Sequence, residues 1–135
     1  MFLLLWFFPA FLEPELQVTF NNFREAKGSL YVAVYDQEGT FLKTGEMRSN
    51  KIVPISQTGS MKLSLGNFPP GKYAVSCFQD LNNNGKLDTN WAGIPTEPYG
   101  FSNNARPKFR APQWAEAAFD LNSGGGAISI RLEEW

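Results

Sequence analysis

At 135 residues the chain has room for one domain with a real hydrophobic core, and not for two. Apolar residues make up 43% and charged residues 19%, which excludes a disordered chain, and a net charge of −1 without a basic block argues against nucleic-acid binding. With no histidine, the commonest general base and metal ligand is missing, and so is any Ser-His or Cys-His nucleophile pair; with one cysteine, Cys77, no internal disulfide forms.

The first twelve residues, MFLLLWFFPAFL, are almost wholly apolar. The run is too short to span a bilayer as a helix, so no integral membrane span is expected. It has the length of a signal-peptide apolar core, although no Lys or Arg precedes it and no Ala-x-Ala site follows. Residues 1–14 are therefore read as a signal-peptide-like segment of an exported protein, destined for the periplasm, outer envelope or medium. The alternative is a hydrophobic first strand.

From residue 15 the pattern has period two, the signature of strands. Leu16, Val18 and Phe20 alternate with Gln17, Thr19 and Asn21. Leu30, Val32 and Val34 alternate with Tyr31, Ala33 and Tyr35, so both faces are apolar and this strand is expected at the centre of a sheet. Residues 51–56 make a weaker strand, and Pro54 places it at an edge. Residues 57–60 (QTGS) predict a hairpin turn into a strand carrying Met61, Leu63 and Leu65. After a rigid corner at 67–71 (NFPPG), Tyr73, Val75 and Cys77 alternate with Ala74, Ser76 and Phe78. A flexible turn at 122–126 leads to a last strand with Ile128, Ile130 and Leu132 on one face. One or two helical turns are expected at 112–118, with Pro112 at the start.

These elements predict an all-β fold, an immunoglobulin- or prealbumin-like antiparallel sandwich of seven or eight strands occupying 15–135. The expected core is Leu16, Val18, Phe20, Leu30, Val32, Val34, Leu63, Leu65, Val75, Ile128 and Ile130. The stretch from 80 to about 111 stands apart: rich in Asn, Gly and Pro, without clean periodicity, yet carrying Trp91, Tyr99, Phe101 and Phe109. A connection of this length in a compact domain needs something to order it.

Residues 80–88 read DLNNNGKLD, which is D-x-N-x-N-G-x-x-D, three-quarters of an EF-hand-type calcium loop. Calcium takes six to eight oxygen ligands at about 2.3–2.6 Å, and side chains at loop positions 1, 3 and 5 converge when the chain wraps an ion. Asp80, Asn82 and Asn84 hold those positions, Gly85 sits at the sharp turn, the Lys86 carbonyl takes position 7, and Asp88 takes position 9. Position 12 is Trp91 in place of the bidentate Glu, so a further ligand would come from Glu97, Asn90 or a backbone carbonyl. With two carboxylates in the motif, affinity should resemble the weak extracellular sites, about 10⁻⁴–10⁻³ M. The competing reading is a tight turn held by Asx side chains and an Asn-Gly pair.

Trp91, Tyr99, Phe101, Phe109 and Trp114 are candidates for an aromatic platform for a sugar ring or peptide, or else for a satellite cluster beneath the loop. Asn103 and Asn104 either present amides to a ligand or bond the loop backbone. Cys77 lies among apolar neighbours and reads as a buried inert thiol.

Three stretches carry a resemblance. These are Phe68 to Val75 (FPPGKYAV), Phe78 to Asn90 (FQDLNNNGKLDTN), and the pair GIP at 93–95 and YGFSNNA at 99–105. Together they resemble a family of short exported bacterial proteins known as domain of unknown function 2141. The resemblance covers nearly all of the chain after residue 14 and implies a signal peptide. The Pro-Gly-Lys-Tyr strand is also similar to transthyretin-like and carboxypeptidase-regulatory-like sandwich modules. The family carries no assigned activity. The expectation is thus a non-enzymatic module of the cell envelope. Its long loop would be stapled by calcium, and its partner would be an envelope protein or glycan.

Overall fold

The computed structural model describes residues 13–135. Residues 1–12, which hold the signal-peptide-like run, lie outside the described residues. Chain order is β1 (Glu15–Phe23), β2 (Ser29–Tyr35), a 3-10 turn, β3 (Ser49–Pro54), β4 (Gly59–Asn67), β5 (Gly71–Asp80), β6 (Tyr99–Phe101), a second 3-10 turn, α1 (Trp114–Ala117), β7 (Phe119–Leu121) and β8 (Gly126–Arg131). Among these residues no helix is long and apolar enough to cross a membrane.

The strands form two sheets, β4-β1-β8 and β3-β2-β5-β6, with β7 also pairing β5. They pack face to face as an all-β sandwich. The alternation read from the sequence sets which side chains meet. Leu16, Val18, Phe20, Leu30, Val32, Val34, Leu65, Val75 and Ile130 are buried together as expected. Leu63 and Ile128 are a correction: they are half-buried and pack against the edge of the core. Their strands flank β1 on either side at the edges of the smaller sheet, where one flank is open. Phe23, Ile55, Phe68, Tyr73, Cys77, Leu121 and Leu132 complete the core.

β2 is central between β3 and β5, and β3 is an edge strand whose last residue, Pro54, pairs with Ser29. The hairpin expected at 57–60 does not form. β3 belongs to the larger sheet and β4 to the smaller, so this turn carries the chain from one layer to the other. Ile55, buried between the two strands, is the pivot, and its N–H donates to the Gly28 carbonyl at 3.0 Å. The pairing is antiparallel throughout except between β1 and β8, which run parallel from Leu16 opposite Gly126 to Asn21 opposite Arg131. The described residues before β1 also join the fold. Pro14 is buried and its carbonyl accepts the Phe68 N–H at 3.0 Å.

β5 is the spine of the larger sheet. One edge pairs β2 along 74–80; the other meets β7 at 71–73 and β6 at 76–78. The gap between β7 and β6 falls at Val75, and Ser102 fills it. Its hydroxyl accepts the Val75 N–H at 2.9 Å and donates to the Ala117 carbonyl at 2.5 Å. The expected helix is one turn, α1, closed by a reciprocal capping box between Gln113 and Glu116.

Candidate functional site

The loop that follows β5 is built on two buried carboxylates. Asp80, the last residue of β5, is fully buried and pairs in register with Ser29. One of its oxygens accepts the Gly85 N–H at 2.8 Å and the other the Asn84 N–H at 3.3 Å. The chain therefore wraps back over the strand end, and Asn83 and Gly85 take left-handed backbone angles to do so (φ 54° and 81°). Glu97, 3% exposed, closes the neck of the loop. Its oxygens accept the Leu81 N–H at 2.7 Å and the Asp88 N–H at 2.8 Å. Beyond this neck, residues 88–96 fold on themselves through the Asn90 N–H to the Ile94 carbonyl and the Thr96 N–H to the Asp88 carbonyl.

Three of the expected site residues, Asn82, Asn84 and Asp88, meet through their side chains, and Asp80 joins them through backbone N–H groups. The amides of Asn82 and Asn84 each contact one oxygen of Asp88 at 2.6 Å, and the Asn82 carbonyl oxygen, like Asp80, receives the Asn84 N–H. Asn84 in turn accepts the Lys86 N–H at 3.2 Å. The Asn90 side chain turns away to cap the Ala92 and Ile94 N–H groups. Among the described residues no Lys or Arg forms an ion pair with Asp80, Asp88 or Glu97. Nor, among them, does any group of three or more His, Cys, Asp or Glu side chains stand close enough together to hold a metal ion. The donor set here is thus two carboxylates and two amides. As placed, both amides turn their nitrogens toward Asp88.

The expected aromatic platform is divided among several places. Trp91 is 98% exposed. Trp114 packs edge-on against Phe41 at 5.8 Å, and Phe109 against Trp135 at 5.7 Å. Tyr99 and Phe101 meet each other at 5.9 Å on β6. Asn103 and Asn104 both adopt positive φ and bond backbone. Asn103 donates to the Glu116 and Ala118 carbonyls, and Asn104 accepts the Arg131 N–H.

Three positioning residues lie outside the D-x-N-x-N-G-x-x-D motif. Gln79 is 1% exposed and donates to the carbonyls of Glu25 and Lys27, both at 2.9 Å, which clamps the 24–28 turn beneath the loop. Its signal was present in the strand pattern. Gln79 shares the inward face of β5 with Tyr73, Val75 and Cys77, where a polar side chain needs a partner. Ser102 and Arg106 left no such signal. Arg106 stacks on the Tyr99 ring at 4.1 Å and donates to the carbonyls of Tyr99 and Glu133, tying the end of the chain to β6.

Cys77 is buried, and burial pushes its thiol well above the ordinary value of 9.0. Burial likewise raises Tyr35 and Tyr73 above 10.0. Each group is neutral in the fold and ionises more readily once unfolded. Their contribution to stability is therefore complete below about pH 9 and is lost as pH rises through the folded-state values. We expect an unfolding temperature level from about pH 6 to 8, where no side chain has its ordinary titration, and falling above about pH 9. Cys77→Ala should delay the start of the fall. A level profile to about pH 11 would contradict the assignment.

No curated protein and no solved structure matches the chain significantly. The sequence profile of one family, described as an uncharacterized protein conserved in bacteria, matches residues 18–129. That span takes in both sheets and the whole of the carboxylate loop, from the middle of β1 to β8, and the chain belongs to this family, DUF2141.

Proposed function

We propose that the chain is a non-catalytic module of the cell envelope in which a calcium ion staples the 81–98 excursion to the end of β5. The ion would be held by Asp80, Asn82, Asn84, the Lys86 carbonyl and Asp88. The observation that carries this reading is the convergence of Asn82 and Asn84 on both oxygens of Asp88, beside a fully buried Asp80. An amide turned by 180° presents its oxygen where its nitrogen stood, and ligation of the ion would replace the bonds that Asn82 and Asn84 accept from the Asn84 and Lys86 N–H groups. Asp88 would then face two oxygen neighbours, an arrangement that a cation between them stabilises. Asp80 supports the same reading. Each carboxylate offers about four acceptor positions, and the two backbone N–H groups use two of them. Glu97 is occupied at the neck and acts by positioning Leu81 and Asp88.

The reading of residues 1–12 as an export signal fits a site of this strength, because weak calcium sites of about 10⁻⁴–10⁻³ M belong to extracellular modules. The absence of histidine and the inert Cys77 support a binding role over a catalytic one.

The test is thermal unfolding of the purified chain in EDTA, in about 10 mM calcium and in about 10 mM magnesium. At that concentration a ligand with a dissociation constant of about 10⁻⁴–10⁻³ M stabilises by about 1.4–2.7 kcal/mol, which is a rise of roughly 4–8 °C for a domain of this size. Asp88→Asn keeps the size of the side chain but loses one of its two amide bonds, so it should melt slightly below the parent in EDTA and lose the calcium-specific rise. Equal unfolding temperatures in EDTA and calcium would reject the site, as would an equal response to magnesium.

A further inference from the structure

The outer face of the five-stranded sheet carries a trough beside a row of rings. Strand register places Ile52, Tyr31, Phe78 and Tyr99 in one row across four strands. The next row is Asn50, Ala33, Ser76 and Phe101. Tyr31 and Phe78 lie nearly parallel, with ring centres 5.0 Å apart and planes at 19°. Beside this bank of rings, the small side chains Ala33 and Ser76 leave a trough. Leu42 and Met47 from the β2–β3 connection stand on one side, and Gly85, Lys86 and Leu87 from the carboxylate loop on another. The trough encloses about 530 Å³, within the range of small-molecule sites. Past Tyr99 and Phe101 it adjoins a second hollow of about 490 Å³, which shares those two rings and Leu87.

Charge is distributed unevenly around it. The chain has 13 acidic residues, yet none lines the trough, whereas Lys51 and Lys86 do. Lys51 donates to the Ser64 carbonyl at 2.9 Å. Lys86 forms no ion pair among the described residues. The half-buried rings on this sheet face, beside the exposed Ile52, offer apolar surface to a ligand, and two ammonium groups without an ion pair at the rim select its charge.

We propose that this trough binds a small amphipathic organic anion, with an aromatic or acyl body lying on Tyr31, Phe78 and Tyr99 and its acidic group beside Lys86. The floor is made by strands, so the apolar part of the site does not depend on a bound calcium ion, whereas Lys86 belongs to the loop that the ion would staple.

The test uses the full chain in its cooperatively melting state, titrated with anilinonaphthalene sulfonate and followed by fluorescence. The neutral analogue N-phenylnaphthylamine and displacement by laurate complete the set. Binding should saturate at one equivalent, laurate should compete, and the neutral analogue should bind more weakly. Lys86→Glu should weaken the sulfonate about fivefold, the effect of reversing one exposed charge. Ala33→Phe fills the trough and should weaken it at least about tenfold. Ile52→Glu, at an exposed edge-strand position, puts an acid in the aromatic row and should weaken it too, and it secures the test should Ala33→Phe not fold. Absence of saturable binding would overturn the proposal. So would equal affinity for the neutral analogue, binding of neutral oligosaccharide alone, or unchanged binding in Ile52→Glu.

Discussion

Gly28→Ala should lower the stability of the domain by about 3 kcal/mol or more, a fall of roughly 10 °C in unfolding temperature. Gly28 has φ +70°, where an L side chain is strained by about 1 kcal/mol. The larger cost is steric. An added Cβ would penetrate the Asp80 carbonyl oxygen and stand 2.8 Å from its carbon and 2.9 Å from the Leu81 Cα. These are backbone atoms, so no rotamer change relieves the contact. Nor does the turn have room to retreat, because Gln79 holds the carbonyls of Glu25 and Lys27, and Ile55 holds that of Gly28. The displaced atoms belong to the residue that anchors the carboxylate loop. Loss of stability should therefore come with faster proteolysis within 81–98 than a core mutant of equal stability shows. An unfolding temperature within about 2 °C of the parent would contradict the close approach on which this rests.

Phe20→Ala should cost about 4 kcal/mol, or roughly 15 °C, measured by denaturant or thermal unfolding. Phe20 is the largest of the fully buried side chains and sits on the middle strand of the smaller sheet, opposite Met61 on β4 and Ile130 on β8. Removing the ring forfeits its transfer free energy and leaves a cavity that three paired strands cannot close. Leu63→Ala removes a half-buried side chain at a sheet edge and should cost well under half as much. Equal costs at the two positions would mean that β4 is more deeply packed than its edge position implies. Both variants should keep any calcium-specific rise, since neither side chain touches the loop. That separates core loss from site loss.

Much of this architecture is local and was legible. The alternation of Leu16, Val18 and Phe20, and of Leu30, Val32 and Val34, fixed the inward faces, because strand side chains alternate whatever the topology. Pro54 marked an edge strand because proline cannot donate to a ladder. The spacing of Asp80, Asn82, Asn84 and Asp88 placed these side chains on one turn, since the wrap lies within nine residues and Gly85 supplies the positive φ. The 57–60 turn misled for an equally physical reason. Turn residues report a change of direction, and the same Gly-containing turn serves a hairpin or a crossing between layers. What separates them is whether the flanking strands pair, and Ile55 is buried where they part.

By itself, then, the sequence determined the strand faces, the all-β sandwich, the wrapped loop and the buried cysteine. Each depends on periodicity, composition or spacing over a few residues. The tertiary structure alone decided the parallel pairing of β1 with β8 across more than a hundred residues, the bridge of Ser102 into the gap between β6 and β7, and the clamp of Arg106 on the chain's end. It also decided that Tyr31, Phe78 and Tyr99, from three separate strands, share one row above a trough while Trp91 and Trp114 stand elsewhere. Those arrangements come from strand order and register, which are set by how the two layers bury their shared core and which no local pattern encodes.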